Sequence, residues 1–163
     1  MNMKRLLLAV LFLASCSTNA TTYKNEANLT WLHENYQSIL VEVSKENSLH
    51  KLPIINTLGE IWKRRDGGTS GEVSPLIAKA LISSPSLMLS VFEEEPDSFK
   101  EWLNELESPL FTDFTGEEHE ELTALHKELL AAMTSYAQTG DARLMPFAER
   151  LANVLKDISI RVV

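Results

Sequence analysis

His119-Glu120-Glu121-Leu122-Thr123 comes within one residue of a zinc-protease motif. His-Glu-x-x-His sets two histidines one turn apart on one helix face, where both can ligate a metal ion beside a general base. Here Thr123 takes the fifth position, and His126 lies seven residues beyond His119. That is about 10 Å along a helix axis, too far for two ligands of one zinc ion. No metal is expected. Gly67-Gly68-Thr69-Ser70-Gly71 is the second candidate. A phosphate-binding loop needs a lysine after its glycines, and a nucleophile elbow needs glycine where Glu72 stands. Neither condition is met; Thr69 and Glu72 instead have capping-box spacing, which predicts an inter-helix turn.

Glu93-Glu94-Glu95, followed by Pro96 and Asp97, breaks a local rule. The three glutamates fall at the expected C-terminus of a short helix, where the macrodipole disfavours anions. Glu93, Glu94, Glu95 and Asp97 are therefore expected to form part of a contact surface for a basic partner. The alternative is a solvated turn in which some of them serve the next helix's positive end. Lys63-Arg64-Arg65 is the opposite case: cations in a helix's last turn gain about 0.3–1 kcal/mol from the dipole. Its other reading is contact with anionic lipid headgroups. His33 and His50 have no partners in sequence, and Trp31, Trp62 and Trp102 fall on or beside apolar stripes that suit a core. No catalytic constellation emerges, and no cofactor is expected.

The elements that would position these residues are helical almost throughout. Leu29, Leu32, Tyr36, Ile39, Leu40 and Val43 follow three-four spacing and predict a long first helix. A second stripe, Ile54, Ile55, Leu58, Ile61 and Trp62, follows Pro53 and ends at Gly67-Gly68. Ser74-Pro75 and Ser84-Pro85 each read as a capping hydroxyl before a first-turn proline, which predicts two short helices, around Leu76–Ile82 and Leu87–Glu94. Pro96 and Asp97 open another helix, and Ser108-Pro109 marks a break. Thr115 and Glu118 have capping-box spacing before a long helix that Gly140 stops. The last helix carries Phe147, Leu151, Val154, Leu155 and Ile158, with Pro146 near its start. Only Ile158–Val162 alternates like a strand, and one strand without a partner is unstable. The expectation is an all-α domain of about seven helices, in a compact array or stacked as in a HEAT or armadillo solenoid.

The N-terminus has a different layout. Lys4 and Arg5 precede the apolar run Leu6–Leu13, then come small residues and Cys16, the only cysteine. Charge, apolar run and small residues in that order describe a secretory signal peptide, and the run falls well short of the roughly 20 apolar residues a spanning helix needs. Leu13-Ala14-Ser15-Cys16 resembles the lipobox of bacterial lipoproteins. The resemblance implies cleavage before Cys16 and acylation of that residue with diacylglycerol and often a third chain, a palmitate-type anchor. Two or more chains, at about 0.8 kcal/mol per buried CH₂, give stable attachment. Ser17, standing where aspartate would mark inner-membrane retention, implies the outer membrane facing the periplasm in a Gram-negative host.

Residues 1–15 are thus expected to be a signal peptide, 16–25 a lipidated tether and 26–163 one helical domain. Without the first 15 residues, 148 of the 163 remain, with thirteen basic and twenty-three acidic residues, a formal charge of −10. That length supports a core, and that charge argues against nucleic acid. The functional expectation is a non-catalytic, lipid-anchored envelope protein that binds another protein. An immunity or inhibitor protein against a basic cell-wall hydrolase or toxin is a sharper version. A structural lipoprotein is another alternative, and an enzyme would need distant residues such as Glu118, His119 and His126 to converge.

Overall fold

Asp66, a residue the local patterns pass over, decides where the longest central element begins. In the computed structural model, which describes residues 26–46, 48 and 50–163, its side chain accepts the Thr69 N–H at 2.9 Å. The Thr69 N–H and hydroxyl hold the Asp66 carboxyl below the usual carboxylate range. Gly67-Gly68-Thr69-Ser70-Gly71 is consequently not a turn between helices but the opening of one. The helix runs on through Pro75 to Ser83, so the short helix expected from Ser74-Pro75 does not start there. Capping rules are local, and the earlier cap at Asp66 overrides the later serine. Pro75 costs the Gly71 carbonyl its intrahelical donor, and the buried Ser74 hydroxyl has no partner among the described residues.

Eight helices and two short strands occur among the described residues. The class is all-α, with one helix more than the apolar spacing suggests. Helix α1 covers 26–44, followed by α2 (Lys51–Lys63), α3 (Gly67–Ser83), α4 (Pro85–Glu94), α5 (Pro96–Glu105) and α6 (Glu107–Phe111). Strand β1 (Thr112–Asp113), α7 (His119–Thr139), α8 (Met145–Asp157) and β2 (Arg161–Val162) complete the order. The break near Ser108-Pro109 falls at Leu106, and both residues lie in the first turn of α6. Residues 1–25, with the lipobox and Cys16, lie outside the described residues.

The chain divides after Tyr36 into two compact units, inside α1 rather than at the end of the polar tether. In the first, the Asn35 side-chain amide donates to the Trp31 carbonyl at 2.9 Å. The second, Gln37–Val163, contains every element from α2 onward.

Helix α3 is the hub of that second unit. Val73, Leu76, Ile77, Ala78, Ala80 and Leu81 are all buried, giving a helix apolar nearly all round, as one enclosed by neighbours must be. It packs against α2, α4, α6 and α7. A solenoid repeat touches only its chain neighbours; α3 also reaches α6 and α7, so this is a globular array. Phe92, Phe99, Trp102 and Phe147 join α4, α5 and α8, with ring centroids 5.0–5.5 Å apart.

The strand-like residues near 160 find a partner that no local pattern reveals. β2 pairs in parallel with β1, Thr112 opposite Arg161 and Asp113 opposite Val162, and the Val163 N–H donates to the Asp113 carbonyl at 3.1 Å.

Candidate functional site

A groove of about 450 Å³ lies between α2 and α4 and meets the start of α5. Leu52, Asn56, Gly59, Val91, Glu94 and Glu95 are among the residues that line it. Gly59 sets how closely its walls approach, since a Cβ there would come within 2.5 Å of Val91 Cγ1. Leu52 lies 50% exposed in it, one of the few large apolar side chains left open to solvent among the described residues.

The four acidic residues expected to contact a partner lie at one end of this groove and at the α4–α5 junction. Glu93 pairs with Arg143 at 3.0 Å, and Glu95 pairs with Lys63. Two of the glutamates that fit poorly at a helix C-terminus thus have cations from other elements beside them. Glu94 and Asp97 are exposed and make no ion pair among the described residues. Asp97 lies in the first turn of α5, where the dipole favours an anion.

The basic run at the end of α2 is likewise engaged within the fold. Arg64 pairs with Glu60 at 3.2 Å. Arg65 lies 3.6 Å over the Trp62 ring and donates to both carboxylate oxygens of Glu105, at 2.6 and 3.3 Å, and to Glu101 at 3.2 Å. Its side chain is only 10% exposed. The tryptophan beneath it is fully buried and donates its indole N–H to the Ser98 carbonyl at 3.0 Å. Arg65 thus ties the end of α2 to α5, and Lys63 ties it to the α4–α5 junction through Glu95.

Two buried ionisable groups escaped the sequence patterns. Lys51 is fully buried, and its ammonium donates to the Ser83 and Ser84 hydroxyls at 3.0 and 2.9 Å. Ser83 in turn donates to the Val43 carbonyl. Ser84 does precede α4 as its N-cap residue, but its hydroxyl serves Lys51 instead of the helix. Burial pushes the Lys51 ammonium below the usual lysine range, while Glu42 and Glu46 pull it back up. The spacing 51, 55, 58, 62 places this lysine on the buried face of α2, a signal present in the sequence.

Asp113 is the other. Fully buried, it accepts the N–H groups of Thr115 (3.0 Å), Gly116 (2.7 Å) and Glu118 (3.2 Å) and the Thr115 hydroxyl (3.1 Å). Burial would raise its carboxyl, but these donors outweigh that and hold it below the usual range. Thr115 and Glu118 therefore form no capping box: Glu118 donates to Asp113, and the Thr115 hydroxyl accepts the Glu117 N–H at 3.1 Å. Gly116 has φ +78°, a conformation that suits glycine. Aspartate with threonine two residues on and glycine three residues on is a turn pattern with this mechanism.

His119, Glu118 and His126 do not converge. His126 faces Phe111 edge-on at 5.2 Å and hydrogen-bonds the Leu155 carbonyl at 2.8 Å, joining α7 to α8, whereas His119 and Glu118 are exposed. His33 and His50 are exposed, and Trp102, like Trp62, is fully buried. No group of three or more potential metal ligands occurs among the described residues, and none of the helices found there is long and apolar enough to cross a membrane. The chain matches no protein-family model, no curated protein and no solved structure.

Proposed function

We propose that this chain is a lipid-anchored protein of the cell envelope, held by acylated Cys16, and that it acts by binding another protein without catalysis. Where the host has two membranes, the anchor is in the outer one and the domain faces the periplasm. The supporting observation is the α2–α4 groove, where half-exposed Leu52 lies in the same cleft as the unpaired carboxylate of Glu94. That combination suits a partner segment carrying an apolar side chain beside lysine or arginine. Glu93, Glu95 and Asp97 add to the acidic field there even where they are paired, because exposed ion pairs are weak and readily exchanged.

Cross-linking from the groove tests this. A photo-reactive side chain replacing Leu52 in the full chain, irradiated in the host cell, is expected to capture a protein through a lysine- or arginine-bearing segment. That protein, once purified, is expected to associate more slowly with Glu94→Gln/Asp97→Asn, with a shallower salt dependence. Capture of lipid only, or no capture, would overturn the reading.

A further inference from the structure

The α2–α4 groove has a direction. Its two helices are tied at one end by the Lys51 ammonium, which donates to the Ser84 hydroxyl at 2.9 Å, and at the other by the Lys63–Glu95 ion pair. Gly59 meets Val91 midway. All three contacts join residues 32 or 33 apart, so α2 and α4 run parallel and in register. Leu52 and Leu87 line the groove toward the first end, and Glu60, Glu94 and Glu95 line it toward the second, beside one cation, Lys63. Both macrodipoles end in that acidic half and add to its negative potential. With Glu95 on Lys63 and Glu60 on Arg64, Glu94 is the carboxylate of the three without an ion pair among the described residues.

This gradient, apolar to acidic, decides what can lie along the groove. The walls are helix faces, whose backbone groups beyond the first turn bond within their own helices. An extended segment laid between them finds no ladder partner, and its buried N–H and C=O groups go unpaired. A helix satisfies its own backbone and presents only side chains, as amphipathic helices in apolar grooves do. Leu87 precedes Glu94 by seven residues, two turns or about 10 Å of helix. Seven residues is also an interval at which a helix lying along the groove returns to the same face. Anionic lipid headgroups are repelled by the acidic half.

We infer that the groove takes one amphipathic α-helix of a partner protein, with an apolar side chain between Leu52 and Leu87 and a lysine or arginine seven residues away, on the same face, against Glu94. The inference rests on the reading of the groove as a protein-docking site and adds the form and spacing of what docks.

The photo-reactive side chain at position 52 of the full chain supplies the segment, and the captured protein is then purified with that segment altered. Proline placed within it, at a position facing away from the cross-linked residue, is expected to weaken binding at least about tenfold because it breaks a helix interior. Alanine at the same position is expected to be neutral. Glu94→Lys is expected to weaken binding roughly tenfold, with helicity unchanged because Glu94 is exposed. Glutamate in place of the segment's cation seven residues from the cross-linked apolar residue is expected to restore it. A segment that tolerates proline, one with no cation at that spacing, or a Glu94→Lys defect not rescued there overturns the inference and leaves the docking reading of the groove standing. An adduct to lipid or to a second copy, or no adduct at position 52, removes both.

Discussion

At the scale of single residues, the two buried ionisable groups carry the most testable physics. Asp113 converts three backbone N–H groups and a hydroxyl into a fixed turn. Asp113→Ala leaves those donors without their acceptor and is expected to lower the denaturant midpoint clearly, with Asp113→Asn intermediate. Because its folded carboxyl is held below the ordinary value of 3.8, its stabilisation is fully present above that value. It is lost as pH falls through the lower folded one. A pH series of denaturant midpoints should therefore show a steeper acid limb for the wild type than for Asp113→Asn, and parallel limbs would count against it. Lys51 works in the opposite sense. The folded chain holds its proton more weakly than the unfolded chain, so below the ordinary lysine value of 10.5 the unfolded state binds more protons. Stability from this group accordingly rises with pH over the interval between its folded pKa and 10.5. Lys51→Met is expected to remove that alkaline slope, while Glu42 and Glu46, which act on the same ammonium, stay in place.

Among elements, the α2–α4 contact is the sharpest. Gly59→Ala forces a methyl against Val91, and overpacking of this kind costs about 1–3 kcal/mol, offset in part by alanine's better helix propensity. Val91→Ala in the same chain should restore most of the loss, and purely additive effects in a double-mutant cycle would mean that the two helices do not meet here. These elements were legible to different degrees. The stripes of α2 and α8 were plain because three-four spacing is a property of one helix. The start of α3 is hidden in sequence because Ser74-Pro75 meets every local condition for a cap, whereas a cap at Asp66 already governs the helix. The pairing of Glu93 with Arg143 spans fifty residues, and no local rule reports it. In the α2–α4 groove the acidic residues can be found in sequence, but the exposure of Leu52 is a product of packing. Alternation near Ile160 suggested a strand, yet its partner is a two-residue segment following α6, too short to carry a period.

For the whole molecule, the anchor and the charge belong together. A fatty-acid probe is expected to label the wild type and not Cys16→Ala, and equal labelling of both would remove the anchor from the model of function. With a formal charge of −10 beyond residue 15, association with a basic partner should slow as salt rises. At physiological ionic strength the screening length is about 8 Å, so charges near each contact surface dominate. The β1–β2 ladder also has a kinetic consequence. It joins segments about 50 residues apart, a closure whose entropy cost grows only slowly with length, and α7 and α8 fill that interval with an extensive helix–helix contact. Their hairpin can assemble from sequence-local contacts and shorten the free chain between the strands before they meet. Folding should then proceed from the hairpin outward, and in pulsed hydrogen exchange the Val163 amide should gain protection after those of α7 and α8.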